Sequence, residues 1–460
     1  MIISLLPMKT SSYALLAALL LSGASFSLAA DTPPFQRDGQ PDPNYEVPDE
    51  LNLAYALSFA LDNNYAIRQA QERIREQEGV ILEVRSAQIP KVSASGDFSG
   101  NDKEVSSAMP AQNRDWGVGV QATQVVYAGG GVQASVRGSS LIRDAAALEL
   151  QAVINEQLLL VRTRFYSVLL AQQRISVQEE NVKLLEEQMK DARNRFEAGA
   201  TSNFEVLRAE VALANGRPAL ITARNALRVA IMELRQVLGF TNSSGSNANK
   251  VPEFVGSLEA TAKPEYELIS AMALARSQRP ELQRLGKLES AGEQQVVVSR
   301  AGARPQVAAF GRYDWVRGGP SSGWNDRRDG WTAGLQAQWD IFDGRATAGR
   351  VVQAKSRLLQ TKLAVEEASL AIDIEVRRAH SALTEAWELV EASGKVVEQA
   401  NEALRLANVR YGAGTATQLD VLTSQVALTD ARLNQLVAGF NYNVALAAMR
   451  KALGEADPLL

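Results

Sequence analysis

The chain has 460 residues, a formal net charge of −4 and no cysteine. A slightly acidic chain lacks the concentrated basic face that nucleic-acid binding needs, so we expect no nucleic-acid partner. The lack of cysteine excludes a disulfide framework, a thiolate metal site and a lipid anchor on an N-terminal cysteine.

Residues 1–30 have the pattern of a secretory signal peptide. Lys9 supplies the positive end, an apolar run covers 14–21, and small residues lead to Ala29-Ala30. The run is shorter than the roughly 20 residues that span a bilayer as a helix, which favours a cleaved signal over an N-terminal anchor. Residues 31–50 are rich in proline and aspartate and are interpreted as an extended arm. Nothing later in the sequence predicts a transmembrane helix.

The second half of the sequence repeats the first half at one fixed difference in residue number, which we call the repeat offset. Trp116 returns as Trp331, and Leu238-Gly239 returns as Leu453-Gly454 at the same offset. A repeat of this length indicates a duplicated structural unit rather than a solenoid of small modules. We divide the chain into repeat 1 (51–240), a linker segment (241–264), repeat 2 (265–454) and a C-terminal tail (455–460).

Each repeat is predicted to contain two strands. They cover about 91–99 and 116–127 in repeat 1, and about 306–315 and 331–342 in repeat 2. From Trp331 to Ile341 apolar and polar residues alternate strictly, which is typical of a strand with one apolar face. A strand of about 11 residues tilted by about 45° crosses a bilayer. The residues predicted to face lipid at the strand ends are Trp116, Trp315, Trp331 and Trp339.

A soluble hairpin with one buried face would show the same alternation. The duplication, the secretory signal and the lack of a membrane helix favour a transmembrane β-barrel instead, in which aromatic residues flank an apolar band. Four strands cannot close such a barrel, because bacterial barrels start at eight strands and open edges are forbidden in hydrocarbon. We therefore predict a trimer with twelve strands.

Long helices are predicted over about 131–196 and 345–411, with return helices over about 203–238 and 418–453. Apolar residues recur every seven positions in the long helices, which implies supercoiled packing against neighbouring helices. About 66 residues at 1.5 Å each make a rod of roughly 100 Å. A structural coiled coil would show the same heptads. Pro218 is expected to kink the first return helix.

The turns between long and return helices carry a duplicated motif, Arg-aromatic-x-x-Gly followed by an acid, Val and Leu, at 195–207 and 410–422. This motif resembles that of TolC-type outer-membrane efflux proteins, as do the segments 339–344 and 452–454. The fold that the resemblance implies is α+β, with a trimeric 12-stranded β-barrel continued by a long periplasmic α-helical barrel. It also implies docking to a periplasmic adaptor and an inner-membrane pump, and passive exit of small toxic compounds through the outer membrane.

The resemblance also assigns roles to residues of the turns. A periplasmic gate or constriction is expected at Tyr411, Glu205, Asp420 and Phe196, with Tyr411 reaching Glu205. The adaptor-docking tip is expected at Gly199, Ala200, Thr201, Gly412, Gly414 and Thr415. Ala416 and Thr423 depart from the family's best-known member, which has an arginine and an aspartate there. Three crowded copies of Asp420 would favour cations and raise one another's pKa values. The alternative is that Asp420 and Glu205 stabilise helix N-termini.

Sequence content argues against an enzyme. The only histidine, His380, lies in a long-helix pattern and is expected to be solvated or to face the lumen. Gly129-Gly130-Gly131 lacks the lysine and hydroxyl residue of a phosphate-binding loop. No metal-ligand spacing is present, and no cofactor is expected. The alternatives to an efflux channel are an outer-membrane duct for type I protein secretion, a periplasmic coiled-coil adaptor and a structural protein.

Overall fold

The structure is a computed structural model, and it describes residues 48–100, 114–240, 251–260, 262–263, 265–318, 324–455 and 459. The predicted signal peptide, nearly all of the arm, the stretch 241–250 of the linker and most of the C-terminal tail lie outside these residues. Among the helices of the described part, none is long and apolar enough to cross a membrane.

The elements follow the same order in both repeats. Repeat 1 contains β1 (Glu50–Asn52), α1 (Leu53–Asn63), α2 (Tyr65–Arg85), β2 (Lys91–Gly100), β3 (Arg114–Ala128), α3 (Gly131–Glu197) and α4 (Asn203–Leu238). After β4 (Glu253–Val255), repeat 2 contains α5 (Leu268–Gln278), α6 (Pro280–Ala301), β5 (Gln306–Arg317), β6 (Arg327–Gln338), α7 (Ala346–Gly412) and α8 (Gln418–Leu453). The repeat offset relates both ends of α3 to α7 and of α4 to α8. Helix α4 continues through Pro218 as one helix, and the kink expected there stays a prediction.

A buried polar residue marks the break between the short helices in each repeat. The amide of Asn64 donates a hydrogen bond of 2.7 Å to the carbonyl of Val237, near the end of α4. Its counterpart Arg279, which precedes α6, donates to the carbonyl of Ala452, near the end of α8, at 3.3 Å. Both repeats therefore tie the helix break to the end of their own return helix.

The apolar core lies at the level of these short helices. Leu57, Phe165 and Leu234 are at most 1% exposed and belong to a cluster that joins α1, α3 and α4. Val376 and Met449 belong to a second cluster that joins α5, α7 and α8. Burying each large apolar side chain contributes about 1.5–3 kcal/mol. These clusters hold each long helix against its return helix.

The larger sheet has four antiparallel strands in the order β2-β3-β5-β6. Trp116 lies opposite Phe98, and Val118 lies opposite Trp315. Opposite residues share a face of the sheet, so the apolar positions of all four strands form one face. That face carries Phe98, Trp116, Val118, Val120, Tyr313, Trp315, Trp331 and Leu335. The other face carries Ser95, Gly117, Gly119, Gln121, Arg312, Asp314 and Thr332.

The last strand differs from the prediction at both ends. Strand β6 covers Arg327–Gln338, whereas the alternation predicted about 331–342. Trp339 and Phe342 thus follow the strand instead of belonging to it. Strand pairing explains why β6 ends before Trp339. Among the described strands β6 contacts β5 alone, whereas β3 has a neighbour on each edge. Residues 339–342 have the alternation of a strand, but none of the strands that the structure describes lies beside them.

Candidate functional site

The turns that end the two long helices have the same backbone geometry. Gly199 has φ +71° and Gly414 has φ +75°, in the left-handed region that favours glycine. Behind them, the N–H of Ala200 donates to the carbonyl of Arg195 at 2.8 Å, and the N–H of Thr415 donates to that of Arg410 at 2.9 Å. These bonds satisfy carbonyls that a helix end would otherwise leave without partners. The tips are therefore compact, exposed and duplicated.

The return helices begin differently after these similar turns. In α8, Thr417 and Asp420 form a capping box, in which the N–H of Thr417 donates to the Asp420 carboxylate at 2.8 Å. In α4, the capping residue Ser202 makes no side-chain cap bond, and Glu205 instead accepts from the hydroxyl of Thr201. The two equivalent acids are thus held in different ways.

Asp420 is both exposed and held as an anion. The hydrogen bond from the backbone of Thr417 is the main cause that lowers the pKa of Asp420 below its ordinary value of 3.8. The hydrogen bond from the Thr417 side chain and the charge of Arg410 act in the same direction. The structure therefore supports its role as a first-turn acid at a helix N-terminus. The raised pKa expected from three crowded copies is an effect between chains and stays a prediction.

Tyr411 lies half-buried at the end of α7. The guanidinium carbon of Arg195 lies 4.6 Å from the centroid of its ring. Burial raises the pKa of the Tyr411 hydroxyl; the charge of Arg195 opposes this, while Glu205 and Asp191 raise it further. The phenol is therefore neutral at physiological pH and able to donate a hydrogen bond. A hydrogen bond from Tyr411 to Glu205 stays a prediction.

The remaining predicted tip residues lie at the same end. Phe196, the counterpart of Tyr411, is 44% exposed. Gly412 is the last residue of α7 and, unlike the two turn glycines, is not among the glycines with positive φ. The structure thus brings the predicted gate and docking residues of each hairpin together at its tip.

A groove of about 260 Å³ lies beside Tyr411, between α3, α7 and α8. Its polar lining consists of Glu187, Gln188, Asp191, Asn408, Tyr411, Gln418 and Gln425. Gln425 is 2% exposed; its amide donates to the side chain of Asn181 at 3.0 Å, and it also bonds to Gln188. Further along, Arg432 pairs with Glu180 at 2.7 Å. We call these contacts between α3 and α8 the polar ladder.

The polar ladder is not repeated at the positions that the repeat offset makes equivalent. Glu210 stands for Gln425, and Val396 stands for Asn181. Glu210 instead pairs with Arg193 at 2.8 Å within its own hairpin. Sequence reasoning missed the ladder, although a position-by-position comparison of the repeats contains the signal.

The predicted lipid-facing residues lie on the apolar sheet face or directly after it. Trp116, Trp315 and Trp331 lie near the hairpin loops, and Trp339 follows β6 near the helices. Trp331 and Trp339 are eight positions apart, which corresponds to about 26 Å of extended chain. At the tilt of about 35–45° that barrel strands have, this length spans about 18–21 Å of membrane height, which is less than the apolar band of about 25 Å between two aromatic girdles, and the lipid-facing role of these residues stays a prediction.

His380 does not form a catalytic constellation. It is half-buried, and its Nε2 lies 3.0 Å from the carbonyl oxygen of Tyr266. His380 thus makes a contact inside the chain while it stays partly exposed, and its expected lumen-facing orientation stays a prediction. In the part of the chain that the structure describes, no group of three or more His, Asp or Glu side chains could hold a metal ion.

Two strand hairpins with a common apolar face, each continued by a long helical hairpin, define the class of outer-membrane channels with a helical extension. The chain belongs to the outer membrane efflux protein family, whose model matches residues 56–240 and 271–455. These two matched segments are again related by the repeat offset. The membership confirms the predicted family, the two-repeat fold class and a transport function without enzymatic activity.

Known proteins show the same similarity over most of the chain. Protein CyaE of Bordetella pertussis is 26% identical over 443 residues, covering 93% of this chain and 90% of that protein. The cobalt-zinc-cadmium resistance protein CzcC of Cupriavidus metallidurans is 25% identical, covering 87% and 89%. The structure of the outer membrane protein VceC from Vibrio cholerae matches with a TM-score of 0.74 at 16% identity, covering 88% and 96%. Outer-membrane localisation follows from the family.

Proposed function

We propose that three copies of this chain form a passive exit duct of a tripartite efflux system. The strands would close a 12-stranded barrel in the outer membrane, and the helices would continue it through the periplasm. The tips would dock onto a periplasmic adaptor and an inner-membrane pump, which supplies the energy. The observation that carries this proposal is the four-stranded sheet, which has one continuous apolar face and two edges that no other described strand covers.

The open edges require further strands. Backbone N–H and C=O groups cannot remain unpaired in hydrocarbon, and bacterial barrels start at eight strands. Four strands from each of three chains give twelve. A barrel of that size can hold an aqueous lumen, and the polar face of the sheet suits it.

The long helices also retain apolar surface for partner chains. Helix α7 carries a stripe of apolar side chains that are at least 50% exposed and are spaced by four or seven residues. They are Val352, Leu359, Leu363, Leu370 and Ile374. Such spacing is the seam that packs against a neighbouring helix in a supercoiled bundle. In the proposed trimer, a helix of a neighbouring copy would cover this apolar stripe.

The tip supports the proposed gate and docking surface. Exposed turns of one geometry occur twice in each chain, hence six times in three chains, which would present a repeated surface to an adaptor. Asp420 is exposed at the start of α8 and is charged at neutral pH. Three symmetry-related copies near the channel axis would form one carboxylate ring, which favours cations.

The proposed cargo is small toxic compounds. The relative CzcC is by its name a resistance protein, which agrees with export of small solutes. The competing cargo is a protein secreted by a type I system. Both cargoes use the same duct, so the test must compare transport and not structure.

Transport would be tested in a strain that lacks its endogenous outer-membrane efflux channel. We expect expression of this chain together with its adaptor and pump to lower the intracellular accumulation of a fluorescent toxic compound. Restored secretion of a type I protein substrate with unchanged accumulation would support the competing cargo. A purified detergent complex that does not contain three chains would refute the duct itself.

The gate would be tested by ion selectivity in planar bilayers. Asp420→Ala is expected to reduce the cation preference of the reconstituted channel, because it removes the carboxylate ring. Glu78→Ala, an exposed acid on α2, is the matched control and is expected to leave the preference unchanged. An unchanged preference in Asp420→Ala would remove this residue from the proposed constriction.

The docking surface would be tested at the turn glycines. Apart from the glycine and its two chain neighbours, nothing lies within 4 Å of the position a Cβ would take on Gly199 or Gly414, so a substitution there changes the backbone preference and the exposed surface without a clash. Gly414→Val is expected to impair adaptor crosslinking while the trimer persists. Gly414→Asn should impair it less, because asparagine tolerates the left-handed region. Full efflux with Gly414→Val would contradict the assignment.

A further inference from the structure

Two buried amide oxygens beside Tyr411 lack hydrogen-bond donors in the described part of the chain. Gln418, the first residue of α8, is 3% exposed and lines the groove between α3, α7 and α8. Its Oε1 atom is buried and accepts no hydrogen bond. Gln188 on α3 lines the same groove, and its Oε1 atom is likewise buried without a donor. Since a buried acceptor without a donor is costly, this groove presents acceptors that a donor from outside the chain would satisfy.

The same groove carries negative charge that the chain balances only in part. Glu187 lines it and forms no ion pair with any residue that the structure describes. Asp191 also lines it and accepts a hydrogen bond of 2.8 Å from the guanidinium of Arg195. Among the described residues of the lining there is no lysine or arginine. The pair of Asp191 and Arg195 is close to neutral, so Glu187 leaves a negative charge that a cation would balance.

Apolar side chains complete the lining and favour an organic ligand over a metal ion. Leu184 lies on α3, Leu404 on α7 and Val421 on α8, and Tyr411 adds an aromatic ring. Hard metal ions are held by several oxygen ligands, whereas small-molecule sites combine apolar walls with a few polar groups. The groove volume of about 260 Å³ is just below the range of about 300–1,000 Å³ that such sites have.

We propose that this groove binds a small organic ammonium ion, a primary amine with a compact apolar body. The N–H groups of the ligand donate to the amide oxygens of Gln418 and Gln188, and Glu187 balances its charge. The apolar body lies against the three helices beside the ring of Tyr411. All of these residues belong to one chain, so the site goes beyond the proposed duct and does not depend on three copies.

The repeat does not provide a second copy of these acceptors. At the position that the repeat offset makes equivalent, Ala403 stands for Gln188, so an amide acceptor is missing. Glu402 stands for Glu187, but Arg405 already donates to its carboxylate at 2.7 and 2.8 Å. Glu402 is therefore a matched control for Glu187, because it is the same residue type with its charge already balanced.

Binding would be measured with benzylamine by ligand-observed NMR. The full chain would be purified into lipid nanodiscs, and empty nanodiscs would correct for partition of the probe into lipid. Two related probes test the chemistry, because benzyl alcohol lacks the charge and benzyltrimethylammonium keeps the charge but has no N–H donor. We expect benzylamine to bind about tenfold more tightly than either related probe, since only benzylamine offers a charged donor.

Three variants locate the site. Gln418→Leu removes the buried oxygen at similar volume and is expected to weaken benzylamine binding about tenfold or more. Its melting temperature should not fall, since no hydrogen bond within the described part of the chain is lost. Glu187→Gln is expected to weaken binding about tenfold, because it removes the charge and leaves an amide. Glu402→Gln is expected to leave binding unchanged.

The possible results separate this site from the proposed duct. Benzylamine binding that exceeds that of both related probes and is weakened in Gln418→Leu and Glu187→Gln alone would support the site. No binding to the wild type, or equal binding of benzyl alcohol, would overturn it. Equal binding to the wild type and Glu187→Gln would also overturn it, even if Gln418→Leu failed to fold. Intact benzylamine binding with no transport would contradict the duct alone.

Discussion

The guanidinium of Arg195, in the last turn of α3, lies over the ring of Tyr411, in the last turn of α7, with 4.6 Å between its carbon and the ring centroid. This contact joins the ends of the two long helices of one chain. A cation over an aromatic face contributes about 0.5–1 kcal/mol at an exposed site. A movement that separates the two hairpin tips would have to break it, so it favours the arrangement seen here.

Removing Arg195 should loosen the tips. We expect Arg195→Gln to raise the open probability of the reconstituted channel by about two- to fivefold, which corresponds to the loss of the cation–π contact. Single-channel recording measures this change. Arg193→Gln is the control, because Arg193 pairs with Glu210 inside its own hairpin.

The ring, and not the hydroxyl of Tyr411, should carry this effect. Tyr411→Phe is expected to keep the closed probability near that of the wild type, and Tyr411→Leu to behave like Arg195→Gln. If Tyr411→Phe and Tyr411→Leu raised the open probability equally, the hydroxyl and not the ring would make the decisive contact.

The capping box should stabilise the start of α8. Removing a threonine cap costs about 0.5–2 kcal/mol. We expect Thr417→Ala to accelerate amide hydrogen exchange in the first turn of α8 by about two- to thirtyfold. Ser202→Ala is the matched control at the equivalent position, because Ser202 makes no side-chain cap bond. Equal acceleration in both variants would contradict the difference between the two helix starts.

The same cap should respond to acid. The folded-state pKa of Asp420 lies below 3.8, so its stabilisation is present above pH 3.8 and is lost as the pH falls through the lower folded value. The protection factors at the start of α8, which are exchange rates corrected for the intrinsic pH dependence of amide exchange, should therefore fall below pH 3.8. Asp420→Asn should abolish this pH dependence while it raises exchange at neutral pH.

The polar ladder should hold α8 against α3. Gln425→Leu removes the hydrogen bond that the Gln425 amide donates to Asn181, and the loss is expected to cost about 1–3 kcal/mol of stability. We expect a lower melting temperature and faster hydrogen exchange in 181–188 and 422–432. Glu210→Leu, at the equivalent position, should change stability by less than about 0.5 kcal/mol, as is usual for surface substitutions. Similar losses in both variants would argue against a special joint between α3 and α8.

A charge cluster near the core should make stability depend on pH. Arg279, with a side chain only 5% exposed, pairs with Glu375 at 2.8 Å, and Lys451 pairs with Glu375 at 3.1 Å. Burial alone would raise the pKa of Glu375, but the hydrogen bond and charge of Arg279, together with Lys451, lower it below 4.5. Its stabilisation is thus present above pH 4.5 and is lost as the pH falls further.

Glu375→Gln should remove this contribution. We expect a loss of about 1–3 kcal/mol at neutral pH, since the buried Arg279 loses a charged partner. The melting temperature of Glu375→Gln should fall less than that of the wild type as the pH is lowered below 4.5. Glu78→Gln, on an exposed face of α2, is the control and should follow the wild-type curve. Parallel curves for wild type and Glu375→Gln would refute the role of this group.

Much of the fold and part of the site are legible in the residues themselves. The repeat offset, the period-2 alternation up to Trp339 and the heptads of the long helices depend on local pattern. Gly199 and Gly414 likewise mark their turns because few other residues adopt positive φ. The contacts of the site could not be predicted from the sequence. The equivalent acids Glu205 and Asp420 look alike in sequence but accept hydrogen bonds from different partners in the structure.

The duplication, the amphipathic strands and the paired long helices follow from the order of the residues alone, because each is encoded by a period along the chain. Three features emerge only in the folded chain: β6 ends at Gln338, Gln425 joins α3 to α8, and Arg195 covers Tyr411. These features depend on which elements become neighbours, and neighbours distant in the chain leave no periodic pattern. The end of β6 in particular is set by the presence or absence of a strand beside it.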